Sequence, residues 1–189
     1  MMKLSRSQIL TACVGIIALQ AVILLFMGHP LICKCGYVKL WHGVALSSEN
    51  SQHISDWYSS SHIIHGFIFY ALLWLFARDR LSFGTRLIFA VAVEASWELI
   101  ENTDYLINRY RGITVSLDYY GDSVINSVSD TLFMVLGFFL ASRLPIWLTM
   151  AIALALELFV GYMIRDNLTL NVVMLLWPID AVLQWQAGR

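Results

Sequence analysis

Six stretches of this chain are almost continuously apolar: 8–28, 62–77, 86–107, 123–142, 145–164 and 168–186, with polar residues gathered between them. A membrane-spanning helix needs about 20 largely apolar residues. The pattern therefore predicts an all-α, polytopic transmembrane helical bundle of about six spans, built as a single integral membrane domain over residues 1–189. The second stretch is short, and the third and sixth are polar at one end. Connections are short except 29–61 and 108–122, which are expected to be extracytoplasmic loops. Orientation follows from Lys and Arg in the short connections. Arg78, Arg80 and Arg143, together with Lys3, Arg6, Arg86 and Arg189, favour both termini inside, an N-in/C-in topology.

Ionisable residues interrupt the apolar pattern at His62, His65, Glu94, Glu98, Glu101, Asp130 and Glu157. A charge at the centre of a spanning helix costs about 2.5–3.5 kcal/mol on the insertion scale, so such residues are rare and usually functional. At a rise of about 1.5 Å per residue, His65 lies about 20 Å from Arg78 along its helix, and Glu98 and Glu101 about 18 and 22 Å from Arg86. Asp130 and Glu157 lie about 20 and 21 Å from Arg143. Four helices thus bring ionisable groups to one level, in the outer half of a hydrocarbon core about 30 Å thick. Glu94, Glu98, Glu101, Tyr105 and Asn108 follow a single helical stripe. Asp122, Asn126, Ser129 and Asp130 share a face, with Phe133, Met134, Leu136 and Phe138 expected to meet lipid on the other. The plainer reading is that these groups only hydrogen-bond one another and fix helix packing.

Composition agrees with a membrane protein. Hydrophobic residues make up 59% and charged residues 13%, with a net charge of −1, and the mean hydropathy is +0.69. An ordinary soluble domain is about 45–50% apolar. The scattered arginines form no basic run interleaved with aromatics, which excludes nucleic acid as a partner. Leu10-Thr11-Ala12-Cys13 matches a lipoprotein cleavage box, but the apolar run continues past Cys13 to Met27, so the segment reads as an uncleaved first helix. Cys33 and Cys35, with His29, His42 and His53 nearby, leave free thiols, a metal knuckle and a disulfide all open. Asp56-Trp57-Tyr58 reads as an interfacial aromatic anchor. Asp180 follows Pro178 nearer the cytoplasm and stands outside the polar level.

Three strings, CKCGYVKLWHG, SSENSQHISDWYSSSHIIHGFIFY and YYGDSVINSVSDTLFMVLGF, closely resemble an uncharacterised family of alphaproteobacterial multi-pass inner-membrane proteins. The resemblance covers residues 29 to 142 and implies the bacterial cell inner membrane rather than an activity. Glu98 followed by GDSVINSVSDTLFMVLG also looks like VanZ-like and YjdF-type membrane proteins. The same region is similar to signal peptidase II, through Leu106-Ile107-Asn108-Arg109, Gly112, Leu117-Asp118-Tyr119, Asn126 and Asp130. The chain departs from that protease in having Asn108 where its first catalytic Asp stands. Asp130 fits its second only with a one-residue shift from Asn126, and Asp104, one turn below Asn108, is the available substitute.

Three functions compete. The first is an outer-leaflet enzyme acting on a lipid or lipid-linked substrate. In it His62, His65, Glu98 and Glu101 hold a divalent metal, and Glu98 and Asp130 supply acid–base chemistry. An aspartyl variant pairs Asp130 with Asp104 or Asp122 on one water. Arg109, Arg111 and Asn126 are the candidates for binding substrate, with membrane lipids as the surrounding partners. The second is a non-enzymatic binding, resistance or assembly factor. The third, a cation- or proton-coupled transporter, fits less well, because the polar residues lie in one leaflet.

Overall fold

The computed structural model describes residues 4–188, and among them the chain forms eight α-helices and no strand. They are α1 (Arg6–Phe26), α2 (Ser59–Ala77), α3 (Phe83–Glu101), α4 (Asp104–Ile113), α5 (Val124–Arg143), α6 (Ile146–Ile164), α7 (Leu168–Leu176) and α8 (Asp180–Gln186). Short polar side chains set most of the starts. Ser5, Ser82, Thr103, Ser123 and Asn167 each accept a backbone N–H of the first turn. Four helices, α1, α2, α5 and α6, are long and apolar enough to cross a membrane. The 19-residue α3 is as long as α2 and α6 but carries Arg86, Glu94 and Glu98 on its buried side. Lys3 and Arg189, counted in the charge bias, lie outside the described residues.

Side-chain pairings fix the helix directions. Ser59 meets Asp130 and Gly66 meets Gly137, so α2 and α5 advance seven residues together and run parallel. His62 lies by Glu98 and His65 by Glu94, so α2 and α3 are antiparallel. Ile9 packs over Gly84, which sets α1 parallel to α3. The Trp57 ring meets Phe159 near the end of α6, 5.9 Å between centroids. Thus α1, α3 and α6 finish, and α2 and α5 begin, at one end of the bundle.

The α2–α5 crossing is the closest in the fold. A methyl at Gly66 would overlap the Met134 carbonyl oxygen, and one at Gly137 the Ile63 carbonyl oxygen. Small residues that let backbones touch are how helices associate where water supplies no hydrophobic drive. Below this crossing Leu87, Ala90, Val91, Met134 and Phe138 form the apolar core. The expected lipid-facing side of α5 needs correction here: Met134 and Phe138 are fully buried, and Leu132, Leu136 and Phe139 are the exposed residues.

Two expected spans are also corrected. The third ends at Glu101, where Asn102 caps α3 and Thr103 starts the amphipathic α4, so Tyr105 and Asn108 leave the stripe and are exposed. The sixth does not form one helix over 168–186. It is a hairpin of a nine-residue and a seven-residue helix, broken at Trp177-Pro178-Ile179. Proline removes a backbone donor and forces the residue before it out of helical conformation. The hairpin folds back to its start: the Gln186 amide donates to Asp166 Oδ1 at 3.2 Å, and Arg165 donates to the Trp185 carbonyl at 3.0 Å. Its middle is held as well, by Arg109 of α4 donating to the Leu175 carbonyl at 2.8 Å. The C-terminal hairpin, α4 and the long loop after α1 therefore sit together at one end of the bundle, opposite the start of α1.

Candidate functional site

His62 and His65 lie one turn apart on α2 and share Glu94, one helix away on α3. His62 Nδ1 is 2.6 Å from Glu94 Oε1, and His65 Nδ1 is 3.1 Å from Glu94 Oε2. Held this way, the His62 ring turns its other nitrogen toward α5, where Nε2 lies 3.7 Å from Asp130 Oδ2. Glu98, one turn above Glu94 and completely buried, sends Oε1 to 3.4 Å from His62 Nδ1. That oxygen has no hydrogen-bond partner, whereas Oε2 accepts from Ser127 Oγ at 2.6 Å. Asp130 accepts from Ser59 Oγ at 3.1 Å. Two groups of ligand atoms result, His62/His65/Glu94 and His62/Glu98/Asp130, each with its atoms within 4.8 Å of one another. That spacing suits a first-row divalent ion with bonds of about 2.0–2.2 Å.

Three of these residues, His62, His65 and Asp130, line a cavity of about 370 Å³. His62, His65 and Asp130 reach it from below, Glu101, Asp122 and Asp166 from the sides, and Tyr58, Tyr110 and Tyr119 from above. Phe69, Val93 and Trp97 continue it outward between α2 and α3, and Leu168, Val172 and Leu175 of α7 cover it. Asp122 is held by the Asn102 amide at 2.8 Å and the Tyr119 hydroxyl at 3.1 Å, and burial pushes its carboxyl up from the ordinary range. Asp166 accepts from the Tyr58 hydroxyl at 3.0 Å, and burial pushes it up to about 6.

Several residues named from sequence lie elsewhere. Asp104 is exposed in the first turn of α4, because the break at Asn102 rotates α4 out of the α3 stripe; it is separated from Asp130 and Asp122. Arg109 is spent on the α7 carbonyl, and the exposed Arg111 donates to the Leu117 carbonyl at 3.2 Å; neither lines the cavity. Asn126 points into the loop after α1, donating to the His53 carbonyl at 2.8 Å. Glu157 accepts the Leu168 and Thr169 N–H groups at 3.0 and 2.9 Å, capping α7 instead of joining the polar level. Cys33 and Cys35 form a disulfide. Beside it Glu49 accepts from Lys39 at 2.6 Å, the Tyr37 hydroxyl at 3.0 Å and His53 Nε2 at 3.0 Å. The Lys39 hydrogen bond is the largest cause holding the Glu49 carboxyl down at about 2.

Other participants escaped the sequence reading. Gln20 of α1 is fully buried and links Ser127 Oγ, at 2.8 Å, to Thr131 Oγ1, at 2.9 Å, so α1 braces the helix that holds Glu98. Its one sequence signal is a Gln deep within the apolar part of α1. Glu94 lay in the stripe, but nothing in its spacing assigned it both histidines. Asp166 and Tyr58 meet across 108 residues of chain, which no local pattern reports.

Comparison with known proteins follows the sequence resemblance. A family described as a protein of unknown function (DUF2585) matches residues 24–188. A UPF0314 protein of Rhizobium meliloti (strain 1021) is 58% identical over 179 residues, covering 95% of this chain and 90% of that protein. One from Paracoccus denitrificans (strain Pd 1222) is 60% identical over 173 residues, covering 92% and 89%. One from Agrobacterium fabrum (strain C58) is 53% identical over 188 residues, covering 98% and 94%. No solved structure matches the chain.

Proposed function

We propose that this chain, which belongs to the DUF2585 family of alphaproteobacterial proteins, is an inner-membrane enzyme that uses a divalent metal to hydrolyse or transfer a group on a lipid or lipid-linked substrate. Five helices, α1, α2, α3, α5 and α6, cross the bilayer. The N-terminus is cytoplasmic, the cavity lies in the outer half, and the α7–α8 hairpin returns the C-terminus to the outer side. Arg6 at the start of α1 and Arg78, Arg80 and Arg143 at the opposite end from the cavity support this orientation. The exposed Leu40, Trp41, Val44 and Leu46 of the loop after α1 suit the headgroup layer.

The observation that carries the reading is the unpartnered Glu98 Oε1 beside His62 and Asp130, two residues that themselves line a cavity with an apolar arm. Isolated acids in hydrocarbon are paired or bind cations. His62 Nε2, Glu98 and Asp130 would hold the ion. Glu94 keeps the proton on His62 Nδ1, as a carboxylate commonly does for a ligating imidazole. When bound, the metal lowers the pKa of water toward neutrality and so supplies hydroxide. His65, oriented by the same Glu94 and facing the cavity, is placed to take or return a proton. Phe69, Val93 and Trp97 accept the apolar part of the substrate.

Metal analysis of the purified protein tests this. The expected result is stoichiometric zinc, iron or manganese that falls at least tenfold in His62→Ala and Glu98→Gln at unchanged expression. A metal-free wild type, purified without chelator and not reloaded by added ion, overturns it. The binding-protein reading then stands, favoured by the internal bonds Ser127–Glu98 and Ser59–Asp130.

A further inference from the structure

The upper part of the cavity bears a charge pattern that the proposed ion site leaves unused. Glu101, Asp122 and Asp166 line it, while among the described residues no lysine or arginine lines the cavity. Arg165, next to Asp166 in sequence, and Arg109 and Arg111 of α4 are committed to backbone carbonyls. A ligand group lodged above the floor would therefore meet carboxylates and rings. Tyr58 and Tyr119 hold Asp166 and Asp122 by their hydroxyls, and the Tyr110 and Tyr119 rings meet edge to face at 5.9 Å. Aromatic faces next to carboxylates attract cations.

A second observation says what kind of cation. Asn50 and Tyr110 both line the cavity and are more than nine-tenths buried, at 8% and 5% exposure. Asn50 Oδ1 nevertheless has no hydrogen-bond partner. Asn50 Oδ1 is an acceptor, so its missing partner is a donor. A quaternary ammonium has no N–H to give; a primary ammonium has three. Its charge would also be matched at neutral pH by Asp166, which ionises above about 6.

Resting on the reading of this cavity as a lipid site, we infer that the substrate is a lipid with a primary-amine headgroup, its ammonium held by Asp122, Asp166 and Asn50. The acyl chains leave past Phe69, Val93 and Trp97, and a phosphate between the two parts would face the ion at His62, Glu98 and Asp130. The cavity volume of about 370 Å³ is that of a small-molecule site, large enough for a headgroup but not for whole chains.

The test is competitive lipid binding to the full-length protein in detergent. Phosphatidylethanolamine, phosphatidylglycerol and phosphatidylcholine are offered in equal amounts and the retained lipid is counted by native mass spectrometry. Free ethanolamine is tried as a competitor, and every measurement is made before and after EDTA treatment. The expected result is at least tenfold preference for phosphatidylethanolamine over both other lipids, unchanged by EDTA, and a tenfold loss of that preference in Asp166→Asn and Asn50→Leu. Equal retention of phosphatidylcholine by the wild type overturns the proposal whether or not the variants fold. So does displacement by ethanolamine at the same concentration as the lipid, which would identify a soluble amine instead. Loss of all lipid preference with normal metal content sinks this inference alone; a metal-free protein that keeps the preference sinks only the enzymatic reading.

Discussion

Single residues divide into those whose shape matters and those whose charge matters. Gly66 and Gly137 belong to the first kind, since each faces a backbone carbonyl that cannot move aside as a side chain would. Gly137→Ala is expected to destabilise the bundle by about 1–3 kcal/mol, the usual range for overpacking, read as a lower melting temperature in detergent. Gly15→Ala, with open space around it, leaves melting unchanged. Glu98 belongs to the second kind. Glu98→Gln retains a side-chain oxygen to accept from Ser127, so the protein accumulates normally while metal content and activity fall by orders of magnitude. Cys13→Ala changes neither. The ionisable residues that gather in the bundle, His62, His65, Glu94, Glu98 and Asp130, stood out in the sequence because such residues are so uncommon inside apolar runs. Which of them touch was not legible, because His62–Glu94 joins α2 to α3 and Ser59–Asp130 joins α2 to α5, and helix rotations are set by tertiary packing such as the Gly66–Gly137 crossing of α2 and α5.

Among the elements, the loop after α1 and the C-terminal hairpin are built from polar contacts and respond to solution conditions. Glu49 titrates near 2 in the folded loop, below the ordinary glutamate value. A depressed carboxylate stabilises the fold fully above that ordinary value and loses its contribution as pH falls toward about 2. Acid titration from pH 6 to 2, followed by protease cleavage within 37–53, should show the loop loosening at the acid end, and Glu49→Gln should flatten the profile. Asp166 runs the other way. Its raised value, about 6, favours the neutral form in the folded chain, so the hairpin weakens as pH rises from about 4 to about 6 and then levels off. Cleavage within 177–186 reports it, and Asp166→Asn should remove the dependence. The hairpin also marks where apolar pattern failed as a guide. Residues 168–186 are apolar enough in sequence to span, but Pro178 divides them into pieces too short to cross, and Glu157, Arg109 and Asp166 tie those pieces to one end.

For the whole molecule, the proposed five-crossing arrangement makes a testable prediction about sidedness. A reporter fused after Gly188 should score on the outer side, in contrast to one fused at Ser82, which should score inside. Matching signals from the two sites would overturn the five-crossing arrangement. The parallel contact of α2 and α5 then has a consequence for how the chain is made. Helices enter the bilayer in order of synthesis, and Asp130 emerges 68 residues after His62. During that interval α2 and α3 have α1 but not α5 beside them, and the polar bonds from Glu94 to His62 and His65 can already form. Glu98 must wait longer, because Ser127, which accepts the Gln20 amide and donates to Glu98, arrives with α5. A ribosome stalled before residue 124 would therefore leave a half-neutralised helix pair exposed to lipid, a natural substrate for membrane quality-control proteases until its last partner is translated.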